Sequence, residues 1–580
     1  MNKRYLVTAA LPYSNGRLHV GHIAGAYLPA DTYVRFLRSK GENVRFICGS
    51  DDNGVTALIA ARKEGVSVEE LTQFYNERQF QDFERLGIKF DIYGGTHQPD
   101  FVDLHNRISQ DIFKVIYDKG YFVKKKATQL YDPVAKQFLP DRYVKGSCYH
   151  VKSDGTPCNY DEAYGDQCEA CGNAIDPMLL INPVSTITGT TPVPRETTHW
   201  YLQLDRLENR IREWLGGKRR SAADSPAWRE FVLNFSLGQI SQGLPERAMT
   251  RDLDWGVPVP LDDPEAQGKT LYVWFDAPIG YVSFTAKLCE EQEGDWSRFA
   301  EWWKDENCRI VHFVGEDNTI FHVLTWPAML MAEGTYSLPW QVVVNAFLKI
   351  RFSGREEEKI SKSRGAAIWI EDYLKTFEPD PLRYYLTAIA PESGRTTFEV
   401  NDFIARNNNE LLNSLGNFIN RTLTFAHRYF DGKVPEAGQR SEIDFRHMTK
   451  ITEQAEKIEA LLGKFQFKAA LGELMALARS ANVYFDARKP WVQRKENMAE
   501  CAVTINVCIQ TVKALTVLMA PFLPSSAAKC IEMLNLDIDP DIIPWIEIEA
   551  EIPAGHQLGQ PTVLFKKLDP ETLFSVARDV

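Results

Sequence analysis

The sequence predicts a parallel α/β fold, interrupted by a small cysteine-bearing insertion and followed by an α-helical bundle. Three observations predict it. Arg4-Tyr5-Leu6-Val7-Thr8-Ala9 is an apolar run of strand length, and beyond a turn-rich stretch Ile23 to Ser39 carries apolar residues at helical spacing. Apolar runs ending in acidic turns recur at Asn43 to Gly54 and at His312 to Asn318. Such turns lie where open α/β sheets bind ligands, at the C-terminal ends of parallel strands. From about residue 395 the pattern changes to long amphipathic segments: Asp402 to Tyr429, Arg446 to Leu462, Phe467 to Phe485 and Glu500 to Met519.

The crossing from the first strand to the first helix is Ala10-Leu-Pro-Tyr-Ser-Asn-Gly-Arg-Leu-His-Val-Gly-His22. It places His19 and His22 at a helix N-terminus, where free N–H groups and the helix dipole favour phosphate. Gly21 between them lets a ligand approach the backbone. Two imidazoles there can donate hydrogen bonds to phosphate oxygens as charge builds up. A lone His-x-Gly-His is a weak signal. A second element, Lys359-Ile360-Ser361-Lys362-Ser363, gives it weight. It sits in a polar segment bounded by Gly354 and Gly365, a composition that suits a loop able to close over a ligand and reopen.

Length, composition and charge set the outer limits. The chain has 580 residues, 44% hydrophobic and 25% charged, enough for several cores. The richest apolar stretch, Ala514 to Leu523, is shorter than the roughly 18 residues of a membrane span, so no membrane association is expected. No signal peptide is visible ahead of the first strand, and a cytoplasmic protein is expected. The net charge of −12 does not favour nucleic acid as a partner, but only the field on the binding face matters. Basic clusters lie at Lys124-Lys125-Lys126, Lys218-Arg219-Arg220, Arg488-Lys489 and Arg494-Lys495. Each alone reads as a solvated face. Ten cysteines in so long a chain do not suggest a disulfide scaffold. Cys148, Cys158, Cys168 and Cys171 cluster, which suggests a metal.

In these two signatures, and in their order and separation, the chain resembles the class I aminoacyl-tRNA synthetases. Within that class, Ala10-Leu11-Pro12-Tyr13 followed by Asn15-Gly16, Arg251-Asp252-Leu253-Asp254-Trp255-Gly256-Val257-Pro258, and Trp274-Phe275-Asp276-Ala277-Pro278-Ile279-Gly280-Tyr281 resemble the methionyl family. The resemblance implies a Rossmann-like catalytic domain carrying a zinc-knuckle insertion, and an all-α anticodon-binding bundle. It implies ATP with Mg2+, L-methionine and tRNA(Met) as ligands. Catalytic roles fall to His19, His22, Lys359 and Lys362, with Gly21, Gly315 and Asp317 joining His19, His22 and Lys362 around ATP. Methionine is expected against Ala10, Leu11, Tyr13, Asp51, Trp274, Ala277, Pro278, Tyr281, Asn318 and His322, with Asp51 taking the ammonium group. The thioether suits aromatic ring edges. Asn318 departs from the aliphatic residue of many bacterial relatives. Asn417, Arg421 and Trp491 match anticodon-contacting positions.

The insertion departs from the family's paired Cys-x-x-Cys, because Val151 stands where one cysteine is usual. Three readings stay open: zinc on Cys148, Cys158, Cys168 and Cys171; zinc with His150 replacing one of them; or a lost metal site. The expected division is 1–115 and 236–335 for the halves of the catalytic domain, with 116–235 the insertion between them. Residues 336–394 form the signature-loop and stem-contact region, 395–545 the bundle, and 546–580 a tail packing back on it through Thr562-Val563-Leu564-Phe565. A further tRNA-binding and dimerisation domain found in some relatives is not seen, so a monomer is expected. Two rivals remain. A synthetase for leucine, isoleucine or valine would need an editing domain, because one methylene gives only about 1–3 kcal/mol of discrimination. A catalytically dead relative would not need both signatures.

Overall fold

The computed structural model describes residues 3–139, 141–151, 155–165, 168, 170–171, 173, 175–221, 225–351, 358–359 and 367–569. Its centre is a five-stranded parallel sheet. The strands are β1 (Arg4–Ala9), β2 (Asn43–Ser50), β3 (Ile92–Gly95), β4 (Cys308–Gly315) and β5 (Gln341–Asn345), in spatial order β5-β4-β1-β2-β3. All four pairings are parallel, with Thr8 beside His312 on one side and Ile47 on the other. Helices cover both faces, so β1 is apolar along nearly its whole length rather than alternating. The chain order reverses between β1 and β4. A crevice therefore opens at their C-terminal ends.

The first helix is continuous from Val20 to Ser39 but widens to a π-turn over Ile23–Tyr27 before its α-helical part, Leu28–Ser39. The cause is Pro29, which has no N–H for the carbonyl of Gly25. The side-chain amide of Asn345, at the end of β5, donates to Ala24 O at 3.2 Å and Gly25 O at 3.0 Å instead. The same device recurs at Phe321–Thr325, a π-turn two residues before Pro327. The first π-turn follows His22 of the first signature, and the second contains His322.

One local expectation was overturned. Tyr272 to Tyr281 reads in the sequence as a strand ending in a turn, but only Thr270–Leu271 are extended, and Val273–Asp276 is a helical turn leading into Ile279–Glu293. A short run of aromatic and β-branched residues suits either state, and here packing against the sheet decides.

Between the sheet's two halves the chain forms small antiparallel sheets. Phe122–Asp132 pairs along its length with Val193–Leu202, and Val144–Ser147 lies between Ala163–Tyr164 and Ile181–Ser185. Beyond β5, the helices Ile370–Thr376 and Pro379–Ala388 lead to the bundle. The bundle helices are Val400–Arg406 continuing through a π-helical stretch into Asn417–Tyr429, then Glu442–Leu462, Phe467–Arg488, Pro490–Glu496, Met498–Met519 and Pro524–Leu534. Met498–Met519 corrects the apolar-run reading: it is long and apolar enough to cross a bilayer, but it is buried as the bundle's central helix. Lys513 and the polar Thr504, Asn506, Gln510 and Thr511 interrupt it, so a scan for uninterrupted apolar runs misses it. Part of the tail contacts the bundle. Phe565 is buried, and Asn408 Oδ1 accepts from Leu568 N–H at 2.9 Å.

Candidate active site, metal centre and anticodon platform

The stretch after β1 is held from two sides. Gln79 donates to the carbonyls of Tyr13 and Gly16, each at 2.9 Å. Val20 N–H donates to Ile368 O at 3.1 Å, and Ile370 N–H to Leu18 O at 3.0 Å. The first signature is thereby zipped onto the segment just after the second. Glu358–Lys359 form a short strand beside Leu348–Arg351, while Lys362 lies outside the described residues.

His19 caps the helix: its Nδ1 accepts from Gly21 N–H at 3.1 Å, and His22 Nδ1 accepts from His19 N–H at 3.2 Å. The rings stack with centroids 3.7 Å apart. With both Nδ1 atoms accepting, each neutral ring carries its proton on Nε2, a donor. Across the crevice, a side chain at Gly315 would meet Asp317 Oδ1 at 2.8 Å. Backbone and carboxylate here approach each other closely.

Asp51 lies at the end of β2, bridged to Tyr13 by Asp51 N–H donating to Pro12 O at 2.8 Å. It is buried, and its Oδ1 has no hydrogen-bond partner among the described residues. Burial, with Asp276 and Asp52 nearby, raises its carboxyl well above the ordinary range. A buried carboxylate oxygen without a partner is costly, and a cation relieves the cost.

Beside it lies an aromatic pocket whose polar atoms are committed to one another. Tyr281 OH bonds His322 Nε2 at 3.0 Å, and His322 Nδ1 donates to Asn318 O at 3.2 Å. Burial lowers His322 to about 4, so the ring is neutral and its Nε2 accepts. Asn318 thus serves through its carbonyl, which any residue supplies, while its amide donates to Asp317 at 3.2 Å. Its departure from the aliphatic pattern leaves this contact intact. Trp274 stacks on Phe321 at 4.1 Å, and Leu11 lies against Gly280, where a side chain would meet Leu11 Cδ1 at 2.9 Å. Ala10 and Ala277 are buried, and Pro278 caps the helix that carries Tyr281.

Sequence reasoning missed the layer beneath. His312 Nδ1 donates to Thr8 Oγ1 at 2.6 Å, its Nε2 accepts from Trp326 N–H at 3.3 Å, and its ring stacks on Tyr281 at 5.2 Å. Asn53 donates to Asp276 at 2.6 Å and pairs with His97, which stacks on Trp255 at 3.8 Å. The signal for His312 was available: an imidazole inside an apolar parallel strand must find buried partners.

In the insertion, the Sγ atoms of Cys148, Cys158, Cys168 and Cys171 lie within 4.8 Å of one another, with Cys148–Cys171 and Cys158–Cys168 both 3.8 Å apart. These separations exclude disulfides. Zn–S bonds of about 2.3 Å in a tetrahedron give sulfur–sulfur edges of about 3.8 Å. Among the described residues the cluster comprises the four cysteines, in a spacing that fits zinc, and His150, whose carbonyl accepts from Cys158 N–H at 2.8 Å, is not among them.

In the bundle, Asn417 is exposed one turn before Arg421. The Arg421 guanidinium lies 3.8 Å over the Phe485 ring and pairs with Asp486 at 2.8 Å. Trp491, 43% exposed, stacks on the same Phe485 at 6.1 Å. The basic surroundings are thinner than the sequence suggests. Arg488 is turned inward onto Asp444 at 3.3 Å and Glu500 at 3.1 Å, while Arg494 lies over Tyr429 at 4.6 Å. Lys124 and Lys125 are likewise ion-paired, with Asp263 and Glu246.

Two family models match in tandem: class I tRNA synthetases (M) over residues 5–423, and the anticodon-binding domain of methionyl tRNA ligase over 434–577. The chain belongs to the class I methionyl-tRNA synthetases. The methionine–tRNA ligase of Bacteroides fragilis (strain YCH46) is 44% identical over 98% of this chain and 80% of its own length. That of Thermococcus kodakarensis is 42% identical over 99% of this chain and 75% of its own. The Mycobacterium tuberculosis methionyl-tRNA synthetase in complex with methionyl-adenylate shares the fold, with a TM-score of 0.77, 24% identity, and coverage of 97% of this chain and 99% of that one. The reaction of this synthetase is the activation of methionine and its ligation to tRNA. The rival reading as a synthetase for another apolar amino acid falls with this result.

Proposed function

We propose that methionine and ATP meet at the C-terminal ends of β1, β2 and β4, and that the observation carrying this assignment is the buried, unpartnered Oδ1 of Asp51. The α-ammonium of methionine satisfies it. The thioether lies among Leu11, Tyr13, Trp274, Tyr281 and His322, with Ala10, Ala277, Pro278 and Asn318 closing the walls. ATP lies along Gly21, Gly315 and Asp317, with Mg2+ accompanying the triphosphate. Attack by the methionine carboxylate on the α-phosphate forms methionyl-adenylate and expels pyrophosphate. No side chain becomes covalently attached. Nε2–H groups of His19 and His22, with Lys359 and Lys362, stabilise the developing charge. The adenylate carbonyl is then attacked by the terminal ribose of tRNA(Met), whose anticodon is read at Asn417, Arg421 and Trp491. Cys148, Cys158, Cys168 and Cys171 hold a zinc ion, which when bound cross-links the insertion. The working division follows the boundaries at 115, 235, 335, 394 and 545, and a cytoplasmic monomer that does not engage membranes completes the reading.

Methionine-dependent exchange of pyrophosphate into ATP tests the site. Lys362→Ala should slow it by roughly 10²–10³-fold, the usual loss on removing one preorganised stabiliser, with methionine affinity unchanged. Exchange at the wild-type rate would exclude Lys362 from the chemistry. Elemental analysis should find about one zinc per chain, and Cys171→Ser should abolish it. A fully active, metal-free preparation would refute the zinc assignment.

A further inference from the structure

One fully buried charge among the described residues is bonded on every side and belongs to no part of the proposed site. Arg383, on the helix Pro379–Ala388, is 0% exposed. A guanidinium has five N–H donors, and five acceptors from three separate parts of the chain surround this one. Nη2 donates to Asp31 Oδ2 at 2.7 Å and Pro521 O at 3.3 Å. Nε donates to Phe522 O at 2.9 Å. Nη1 faces Leu86 O at 3.3 Å and Gly87 O at 3.4 Å. Arg35 braces the same point, reaching Asp31 Oδ2 at 2.9 Å and Gly87 O at 2.7 Å. One turn before Arg383, Asp380 takes both the N–H and hydroxyl of Ser526, each at 2.6 Å.

The acceptors are placed at informative points. Asp31 lies on the helix that begins at His19 and His22, just past the π-turn Ile23–Tyr27. Pro521 and Phe522 form the turn directly after the central bundle helix, Met498–Met519. That helix is 22 residues long, about 33 Å at ~1.5 Å per residue. Its other end is bonded to the segment carrying Trp491: Gln493 donates to Glu500 at 2.9 Å, and Arg488 holds both Glu500 and Thr504 at 3.1 Å. One rod therefore runs from the anticodon platform to Arg383, and Arg383 touches the helix of the first signature.

We propose that Arg383 is a positioning residue that makes methionyl transfer depend on where the anticodon bundle sits. The proposal rests on the platform reading given above. Shifting the Pro521–Phe522 turn against the signature helix breaks charge-assisted bonds around a fully buried guanidinium, so the two elements move together or not at all. The π-turn between Asp31 and His22 is where such a shift is absorbed, since π-turns are local irregularities in helical hydrogen bonding.

The test compares wild type, Arg383→Lys, Asp31→Asn and the double variant. Four quantities are measured: pyrophosphate exchange, affinity for a methionine tRNA transcript, single-turnover transfer from preformed methionyl-adenylate, and thermal midpoint. Lysine keeps the charge but has only three donors from one atom. Arg383→Lys should leave exchange and tRNA affinity within about 2-fold and slow transfer roughly 5- to 150-fold, the usual span of a coupling between sites. Asp31→Asn, which keeps side-chain size, should act in the same direction and carries the test if the lysine variant does not fold. The double variant should be no slower than the slower single, because both act through one contact. Transfer at the wild-type rate, exchange falling by the same factor as transfer, or strictly additive losses would each overturn the proposal. If Trp491→Ala binds tRNA like wild type while Arg383→Lys slows transfer, the platform reading fails and the joint stands. If Trp491→Ala weakens binding and Arg383→Lys transfers normally, the joint fails and the platform stands.

Discussion

The proposed methionine pocket and the proposed anticodon platform are both built from aromatic rings, but they use them in opposite ways. In the pocket Tyr281, His312 and His322 are buried and their polar atoms are tied in two chains, Thr8–His312–Trp326 and Tyr281–His322–Asn318, while Trp274 is half-buried and Tyr13, at 37% exposed, forms the open side. On that reading the amino acid would meet a largely fixed wall and the unpartnered Oδ1 of Asp51. On the platform only the backing is fixed. Phe485 is buried under Arg421, and Trp491 is offered to solvent. A buried site discriminates through groups that become costly when left unsatisfied. An exposed ring stacks on any base and contributes a graded increment. Losses in the pocket should therefore be abrupt, and losses on the platform partial.

The largest effect tests the abrupt side. Asp51→Ala leaves the methionine ammonium buried without its counter-charge, a loss of about 3–5 kcal/mol. That corresponds to roughly 150- to 5,000-fold weaker methionine binding by titration, with ATP binding near normal. Equal loss of both ligands would mean that the substitution damages the crevice as a whole. The graded side is tested at Trp491. Trp491→Ala should lower kcat/KM for tRNA charging by about 5- to 150-fold, from roughly 1–3 kcal/mol of stacking. Pyrophosphate exchange should be untouched. Normal charging would make Trp491 a packing residue and remove the contrast. Added salt should weaken tRNA binding with the same slope in both proteins, since no charge is changed.

The contrast also explains what was legible in advance. Residues that act through local spacing could be read: β1, the His19 and His22 cap, the acidic turn at Asp51 and the cysteine cluster. The metal ligands could be named but not chosen, because whether Cys158 or His150 joins the cluster depends on how the loop from 149 to 168 folds back. Features set by distant contacts were missed. The helical turn at Val273–Asp276 is decided by packing, and the π-turns answer to Pro29 and Pro327 together with a side chain on another strand. His312 finds Thr8 across 304 positions. Arg488 looks like part of an open basic patch in the sequence, yet it is spent internally on Asp444, forty-four positions earlier. Arg383 was passed over entirely, since nothing near it in sequence supplies its acceptors.

An effect confined to acid pH, and absent near neutrality, concerns a residue that makes the two regions alike. The bundle too contains a buried neutral imidazole, His447, whose Nε2 bonds Thr511 Oγ1 at 3.1 Å and whose ring stacks on Tyr484 at 4.5 Å. Burial, with Lys450 nearby, lowers it to about 4, as burial lowers His322 in the pocket. An ordinary histidine titrates near 6.5. The unfolded chain therefore takes up a proton as pH falls through about 6.5, while the folded bundle refuses it until about 4. Where the unfolded state binds more protons, stability falls with pH. His447 thus contributes stability that is fully present above about pH 6.5 and is lost progressively down to about pH 4. His447→Gln keeps a polar partner for Thr511 but cannot titrate. Above pH 7 its urea midpoint should run parallel to that of wild type. Between about pH 6.5 and 4 the wild type should lose up to about 3 kcal/mol relative to the variant. Curves that stay parallel to pH 4.5 would mean that the folded bundle accommodates the charged ring. The bundle interior would then be more permissive than the pocket, and the difference between the regions would extend below the surface.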